Sequence, residues 1–124
     1  MPEHSEPIQK CVVVNAIPTN LLCQEFEDKY LMIVTQHRKL GTLTLVTEDA
    51  ALPHSDNVKT YTMQVVLGAD NEVTQVIARQ FAQTCKVKKP VLVASALKDS
   101  SREVVKLICA ELDQLQHAES AVSS

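Results

Sequence analysis

Lys98-Asp99-Ser100 is the first stretch whose residue types could do chemistry, because it places a hydroxyl nucleophile beside a lysine and a carboxylate. Many serine hydrolases use an activating histidine and a Gly-x-Ser-x-Gly turn, and neither accompanies Ser100. Ser100 also begins a Ser-x-x-Glu pattern that ends at Glu103, in which hydroxyl and carboxylate satisfy backbone amides at the start of a helix. We therefore interpret Ser100 as a helix cap, and we predict no catalytic residue.

Leu67-Gly68-Ala69-Asp70 is a second candidate, because a strand there gives way to a helix and a helix start can bind phosphate. The stretch has one glycine where dinucleotide-binding and P-loop motifs need two or three. The carboxylate of Asp70 would also repel a phosphate. A helix cap at Asp70 is the better explanation, and a small ligand-binding or hydrolytic domain that uses Ser100 or Asp70 stays as an alternative.

Cysteine and histidine residues do not form a metal-binding pattern. The cysteines lie among apolar residues of predicted strands and helices and form no Cys-x-x-Cys motif: Cys11, Cys23, Cys85 and Cys109. This placement predicts reduced thiols in the core of a cytoplasmic protein, with the nucleus as a further compartment. The histidines lie in predicted tails and loops without zinc-ligand spacing: His4, His37, His54 and His117. We predict no metal and no cofactor.

Size and charge exclude several classes of partner. The chain has 124 residues, which predicts one domain. Its 12 basic and 15 acidic residues give a net charge of −3, whereas nucleic-acid binding needs a basic surface. Tryptophan is absent and aromatic residues are few, so a base-stacking surface is not expected. No apolar run approaches the ~20 residues of a membrane span, and no signal peptide is recognisable.

Six strands and two helices are predicted from the spacing of apolar residues. Alternating or continuous apolar runs predict strands at residues 11–17, 21–27, 30–36, 42–47, 60–67 and 91–97. Pro18-Thr19-Asn20 is predicted as the turn between the first two strands. Apolar residues at helical spacing predict one helix with an inner stripe of Val73, Val76, Ile77, Ala78, Phe81 and Ala82. The stripe of the last helix is predicted as Val104, Leu107, Ile108, Leu112 and Leu115.

This order of elements predicts an α+β fold with a six-stranded, mostly antiparallel sheet and two helices packed on one face. We expect a single domain at residues 10–116 between flexible tails at 1–9 and 117–124. Strands 11–17, 30–36 and 91–97 are apolar on both faces, but two helices cover only one face. Either a second chain covers the other face or the sheet curls on itself, and the pattern alone leaves both open.

The interaction surface is predicted on the strands and on two connections. The candidate dimer interface consists of Val12, Val14, Met32, Val34, Ala94 and Ala96. Because both faces of these strands are apolar, the sequence leaves open which face meets a partner. In the fourth strand, Leu43 and Leu45 are expected to point inward. The turn at 36–41 has a basic tip, with Leu40 as an apolar anchor and Gly41 available for a positive φ. It is either a docking site for an acidic surface or a solvated turn, and the 48–59 loop either binds a partner or is disordered.

Four short stretches give the sequence a family resemblance. They are Ile33-Val34-Thr35-Gln36, Leu40-Gly41-Thr42-Leu43, Val65-Val66-Leu67-Gly68, and residues 91–97 followed by Lys98-Asp99-Ser100. In this order and spacing they resemble the proteasome assembly chaperone 3 family, over about residues 11–115. The tails and the 48–59 loop match poorly.

The resemblance implies a non-enzymatic chaperone of 20S proteasome assembly without a cofactor. Members pair through their sheets with a similarly folded protein, proteasome assembly chaperone 4, and can self-associate. The pair binds α-subunits, helps the α-ring to form, and leaves as β-subunits join. Our candidates for α-subunit contact are physical choices: Gln36, His37, Arg38, Lys39, Leu40, Gly41, Pro53, His54 and Asp56. A homodimeric adaptor unrelated to proteasomes is the other alternative.

Overall fold

The fold is a six-stranded sheet with two helices against one face. The computed structural model describes residues 7–36, 41–49, 61–68, 72–85 and 89–123, with side chains described as far as Gln116. The elements are β1 (Ile8–Val14), β2 (Ile17–Glu25), β3 (Tyr30–Thr35), β4 (Thr42–Glu48), β5 (Tyr61–Leu67), α1 (Glu72–Gln83), β6 (Val91–Ala96) and α2 (Arg102–Ser123). Neither helix, within this described part, combines the length and apolar content needed to cross a membrane.

The strands lie in the order β1-β2-β3-β6-β4-β5. Only β3 and β6 pair in parallel, and the other four neighbouring pairs are antiparallel. β6 therefore lies between β3 and β4, which are consecutive in the chain but not hydrogen-bonded neighbours. The predicted α+β class, with a mostly antiparallel six-stranded sheet, is confirmed.

The turn of the first hairpin is not where the sequence predicted it. Asn15 and Ala16 connect β1 and β2, with φ angles of 52° and 68°, while Val14 pairs with Ile17. Two left-handed residues are the geometry that matches the twist of a two-residue hairpin. Pro18 instead lies inside β2, opposite Val13, and the pairing of β2 with β3 begins only at Asn20. Its missing N–H therefore breaks no hydrogen bond to β3.

Replacing Ala16 by glycine is expected to stabilise the protein by about 0.5–1 kcal/mol. A left-handed alanine costs about 1–2 kcal/mol, and the larger backbone entropy of unfolded glycine offsets part of that gain. Urea unfolding measures the change. Ala110→Gly is the control. Ala110 is exposed in the middle of α2, so glycine there should lower the free energy of unfolding by about 1 kcal/mol. A destabilised Ala16→Gly variant would contradict the left-handed turn.

The core lies between the helices and one face of the sheet. On β3, Tyr30, Met32 and Val34 are at most 2% exposed. The helices cover them with side chains that are also almost inaccessible to solvent: Phe81, Ile108 and Leu112. This single cluster holds both helices on the same side, as predicted.

The buried stripes of the helices differ from the predicted ones at four positions. Ile77, Ala78, Phe81 and Ala82 of α1 are buried as predicted. Val73 and Val76 are 58% and 44% exposed, and Leu107 of α2 is 47% exposed while Val105 is buried. Both helices are thus rotated relative to the prediction, and they present aliphatic side chains to solvent.

The start of α2 is capped one residue later than predicted. The N–H of Val104 donates to Ser101 Oγ at 3.4 Å, and the N–H of Ser101 donates to Asp99 Oδ1 at 2.9 Å. Ser101 therefore takes the role that the sequence gave to Ser100. The predicted cap of the first helix, Asp70, lies outside the described residues. The backbone of α2 continues to Ser123, through most of the segment predicted as a C-terminal tail.

Candidate functional site

The face of the sheet away from the helices, called the open face from here on, carries aliphatic side chains across its centre. Register places them in two rows. One crosses β3, β6 and β4 with Leu31, Leu92 and Leu45, and the other crosses β2, β3, β6 and β4 with Leu22, Ile33, Ala94 and Leu43. The leucines and the isoleucine of these rows are partly buried, since they pack on one another. The result is a continuous apolar band with no element of the described chain over it.

Charge is absent from the strand residues of the open face. The three charged strand residues, Lys10, Glu25 and Glu48, pair in register with Leu21, Tyr30 and Tyr61, and all lie on the helix face. Amides and hydroxyls surround the aliphatic rows instead: Gln9, Asn20, Gln24, Thr35, Thr47, Thr62 and Gln64.

Two charged strand residues are already used within the chain. Lys10 Nζ donates to Glu111 Oε1 of α2 at 2.9 Å. Glu25 Oε2 accepts from Lys89 Nζ at 2.7 Å. A solvated sheet face usually alternates charged or strongly polar residues with buried ones. An apolar centre with an uncharged polar margin is instead typical of a face that packs on another protein.

One region of the open face is concave. A cavity of about 350 Å³ lies over β1, β2 and β3, with Cys11, Leu22 and Ile33 among its lining residues. Its polar margin includes Asn20 and Thr35. The cavity offers space for an apolar side chain of a covering protein.

One carboxylate lies at the opposite edge of the open face, just after β4. Asp49 Oδ1 accepts a hydrogen bond from Thr62 Oγ1 at 2.7 Å.

The structure corrects four of the six candidate dimer residues. Val12, Val14, Met32 and Val34 lie on the helix face, and the last three are at most 4% exposed. The chain's own helices cover them, so they are not available to a partner. Ala94 and Ala96 lie on the open face, where register flanks Ala94 with Ile33 and Leu43 and places Ala96 beside Thr35. Both alanines are buried, at 0% and 8% exposed, so the larger side chains around them form the surface that a partner would contact.

Apart from Ala94 and Ala96, the residues that form the open face were not among the predicted site residues. In β4 the sequence pointed Leu43 and Leu45 inward, yet Thr44 and Val46 face the helices and are buried. Thr44 is fully buried, and its hydroxyl has no hydrogen-bond partner among the described residues. In β4 the polar residue Thr44 is buried and the apolar residues Leu43 and Leu45 are not, so hydrophobic alternation assigned the two faces of this strand the wrong way round. What locates the open face is the pairing of Leu43 and Leu45 with Ala94 and Leu92 of β6, which is known only once the order of the strands is known.

Most candidate α-subunit contacts fall in two connections outside the described residues. These are His37, Arg38, Lys39 and Leu40 in the first, and Pro53, His54 and Asp56 in the second. The residues that flank the connections are described: Gln36 and Gly41 at one end of β4, and Asp49 and Tyr61 at its other end. Since β4 has seven residues, these two ends of the sheet lie roughly 20 Å apart.

Gln36 is a structural residue and not an exposed contact. It is 7% exposed, and its Nε2 donates to Thr19 Oγ1 at 3.0 Å. Its Oε1 accepts from the backbone N–H groups of Lys98 and Asp99 at 2.8 and 3.2 Å. One side chain thus ties β2, β3 and the connection from β6 to α2 together, which corrects its assignment as a surface residue.

Replacing Gln36 by leucine is expected to lower the free energy of unfolding by about 2–3 kcal/mol. Leucine has a similar size but leaves the three groups that now bond the Gln36 amide without this partner. Chemical denaturation measures the loss. Gln114→Leu makes the same change at an exposed position of α2 and should stay within about 0.5 kcal/mol of the wild type. Equal stability of the two variants would show that the Gln36 contacts contribute little.

The stretch Lys98-Asp99-Ser100 is used to begin α2. Hydrogen bonds from the backbone and the side chain of Ser101 lower the pKa of the Asp99 carboxyl below its ordinary value. The side chain of Ser100 is exposed. The side chains of all four histidines lie outside the described part of the chain.

The cysteines are only partly in the core. Cys23 and Cys85 are buried, Cys109 is partly buried, and burial raises the pKa of the Cys109 thiol. Cys11 is exposed in the cavity of the open face, which corrects its assignment to the core. Across the described ranges, no three His, Cys, Asp or Glu side chains come together as metal ligands could.

Comparison with known proteins places the chain in a family. Residues 32–115 match the sequence profile of the family described as Proteasome assembly chaperone 3. The Nematostella vectensis protein of that name is 30% identical over 120 residues, which cover 90% of this chain and 89% of that protein. The Bos taurus protein is 35% identical over 108 residues (81% and 84%), and the Homo sapiens protein is 33% identical over 103 residues (81% and 84%).

A solved structure shares the fold. It is described as the crystal structure of a novel chaperone complex for yeast 20S proteasome assembly. The match has a TM-score of 0.72 at 12% identity and covers 90% of this chain and 98% of that chain. From the profile match and the relatives of at least 30% identity, we conclude that this chain belongs to the proteasome assembly chaperone 3 family.

Proposed function

We propose that this chain promotes assembly of the 20S proteasome α-ring by binding alone, without catalysis. It acts as a dimer with a similarly folded chaperone, proteasome assembly chaperone 4, and the dimer binds α-subunits. Membership of the family and a fold shared with a chaperone of yeast 20S proteasome assembly support the proteasome as the target. The four cysteines form no disulfide with one another, which is consistent with action in the cytoplasm and the nucleus.

The dimer rests on one observation, the uncharged apolar open face. Two sheets can pack face to face at about 10 Å, with their inner side chains interdigitated. The rows centred on Leu92 and Ile33 supply such side chains, and the absence of strand charges means that no ion must lose its hydration. A stable interface buries about 800 Å² per partner, which a six-stranded face can supply.

Self-association would use the same surface. A second copy of this chain offers the same aliphatic rows, so a homodimer can form by a two-fold axis that lies between the two open faces. Because the partner chaperone and a second copy compete for one face, the heterodimer and the homodimer exclude each other. The partner chaperone would then displace one copy of this chain from the homodimer to form the heterodimer.

Contacts with α-subunits are assigned to the connections at 37–40 and 50–60 and to their neighbours. They join the ends of β3, β4 and β5, and the flanking residues lie at opposite ends of the sheet. An α-subunit that touches both would span roughly 20 Å of this chain. Such a span lets one chaperone hold a subunit at two points and so define its orientation in the ring.

The test is to mix this chain with a proteasome assembly chaperone 4 homologue and with individual purified α-subunits, and to separate the products by size-exclusion chromatography. A ternary complex with one or more α-subunits is expected, and finished 20S particles should not retain the chaperone. Failure of the chaperone pair to retain any α-subunit would contradict the proposal. Homodimerisation without binding of the partner chaperone or an α-subunit would favour an adaptor role instead.

A further inference from the structure

A groove between α1 and α2 lies on the side of the molecule opposite the open face. Its cavity measures about 270 Å³, with Gln80 and Gln83 of α1 on one wall and Arg102, Val105 and Lys106 of α2 on the other. Cys109 Sγ lies 3.9 Å from the backbone oxygen of Gln80, where the helices approach each other. Further along, Gln116 Nε2 donates to Thr84 Oγ1 at 3.1 Å and closes that end. The groove is therefore open toward the start of the helices.

The α2 wall of the groove carries two cations without partners. Arg102 and Lys106 are exposed and lie four residues apart, so they are neighbours on one face of α2. Neither forms an ion pair with another residue of the described ranges, whereas Lys10, Lys29 and Lys89 each pair with a carboxylate. Glu111 is occupied by Lys10 on the β1 side of α2. The groove thus has two cations on its margin that form no ion pair with a described residue.

The α1 wall continues as an apolar strip. Val73 and Val76 precede Gln80 and Gln83 at spacings of seven residues, which places all four on one stripe of α1. Both valines are more than 40% exposed, although the sequence predicted them in the core. An apolar strip beside two unpaired cations is complementary to a segment that has apolar residues on one face and carboxylates on the adjacent face.

We propose that the groove between α1 and α2 docks an acidic amphipathic segment of an α-subunit. The assignment rests on the proposed function, since it takes the α-subunit as the client. With a second sheet on the open face, the helices stay accessible on the far side of this chain. Apolar side chains of the segment contact Val73 and Val76, and its carboxylates contact Arg102 and Lys106. The groove adds a contact surface to the connections at 37–40 and 50–60.

The test compares two double charge reversals in the complex of this chain with its partner chaperone. Arg102→Glu with Lys106→Glu reverses the groove, while Lys29→Glu with Lys98→Glu gives the same net charge at two cations that lie outside both helices and do not line the groove. A glutamate at position 102 is compatible with the first turn of α2, where negative charge is favoured. Binding of each purified α-subunit is measured by titration at low and at physiological salt.

We expect the groove variant to bind an α-subunit at least about tenfold more weakly than the wild type at low salt, and to lose most of its salt dependence. The control should stay within about twofold of the wild type. Equal affinities of the groove variant and the control would overturn the docking site but leave the proposed function standing. Loss of the partner chaperone from the groove variant would also overturn it, because the effect would then arise at the dimer.

A second variant separates contact from charge. Val73→Ser with Val76→Ser removes exposed apolar surface, so the fold should be retained, and binding should weaken several-fold without a change in salt dependence. Unchanged binding by this variant would limit the site to its charges and would overturn the amphipathic segment as its occupant. If the wild-type complex binds no α-subunit at all, the proposed function and the docking site both fail.

Discussion

A lysine in place of Leu92 is expected to weaken the proposed dimer by at least about 100-fold while the monomer stays folded. Leu92 lies on β6 between Leu31 and Leu45, in the centre of the open face. Once a second sheet covers this face, a buried ammonium group would have no carboxylate among the strand residues around it. In the free monomer the same lysine reaches water from its partly buried position, so its effect on folding is small.

Sedimentation velocity across a dilution series measures this change for the chain alone and with the partner chaperone. Leu107→Lys is the matched control, because Leu107 is 47% exposed on α2 and does not belong to the open face. The exposed thiol of Cys11 gives a second readout, since a covering sheet should slow its reaction with a maleimide. Dimers of equal strength in the Leu92→Lys and Leu107→Lys variants would move the interface away from this face.

Replacing Gly41 by alanine is expected to cost about 3–5 kcal/mol of stability, a large share of what a domain of this size has. Gly41 directly precedes β4 and has a φ of +68°, in agreement with the positive φ for which the sequence made it available. A Cβ at this position would overlap the backbone oxygen of Ser95 and would lie only 2.7 Å from Ala96 Cβ. Strand β6 therefore has no room for any side chain at position 41.

Thermal and urea unfolding of Gly41→Ala test this expectation, and Gly41→Asn identifies the cause. Asparagine tolerates positive φ better than alanine but carries the same Cβ. If contact with β6 dominates, both variants should lose similar stability, whereas a clear recovery with asparagine would assign the cost to φ. A Gly41→Ala variant within about 1 kcal/mol of the wild type would contradict the close approach to β6.

The fold class followed from sequence because local patterns and the final packing agree in most elements. Strand β5 alternates in sequence, and its alternate residues Tyr61, Met63 and Val65 are partly buried on the helix face. The first hairpin was misplaced because Pro18 is a stronger turn signal in sequence than Asn15-Ala16. Only tertiary structure shows that β2 has no β3 partner at Pro18, so that a proline is tolerated there.

The candidate site was less predictable, because the side of a strand that a helix covers is a property of the whole sheet. Met32 and Ile33 are equally apolar in sequence, yet the first lies under the helices and the second on the open face. Gln36 looked like a surface residue because its partners Thr19, Lys98 and Asp99 are far away in the chain. Neither distinction is available before the neighbours of each strand are known.

The insertion of β6 between β3 and β4 has a consequence for biosynthesis. Until residue 96 has left the ribosome, the β1–β3 meander and the β4–β5 hairpin have no hydrogen bonds that join them. The nascent polypeptide therefore contains two separate β-structures, each with an unpaired edge strand, while residues 68–96 are translated. A premature stop before Val91 would therefore release a product prone to aggregation and not a shortened chaperone.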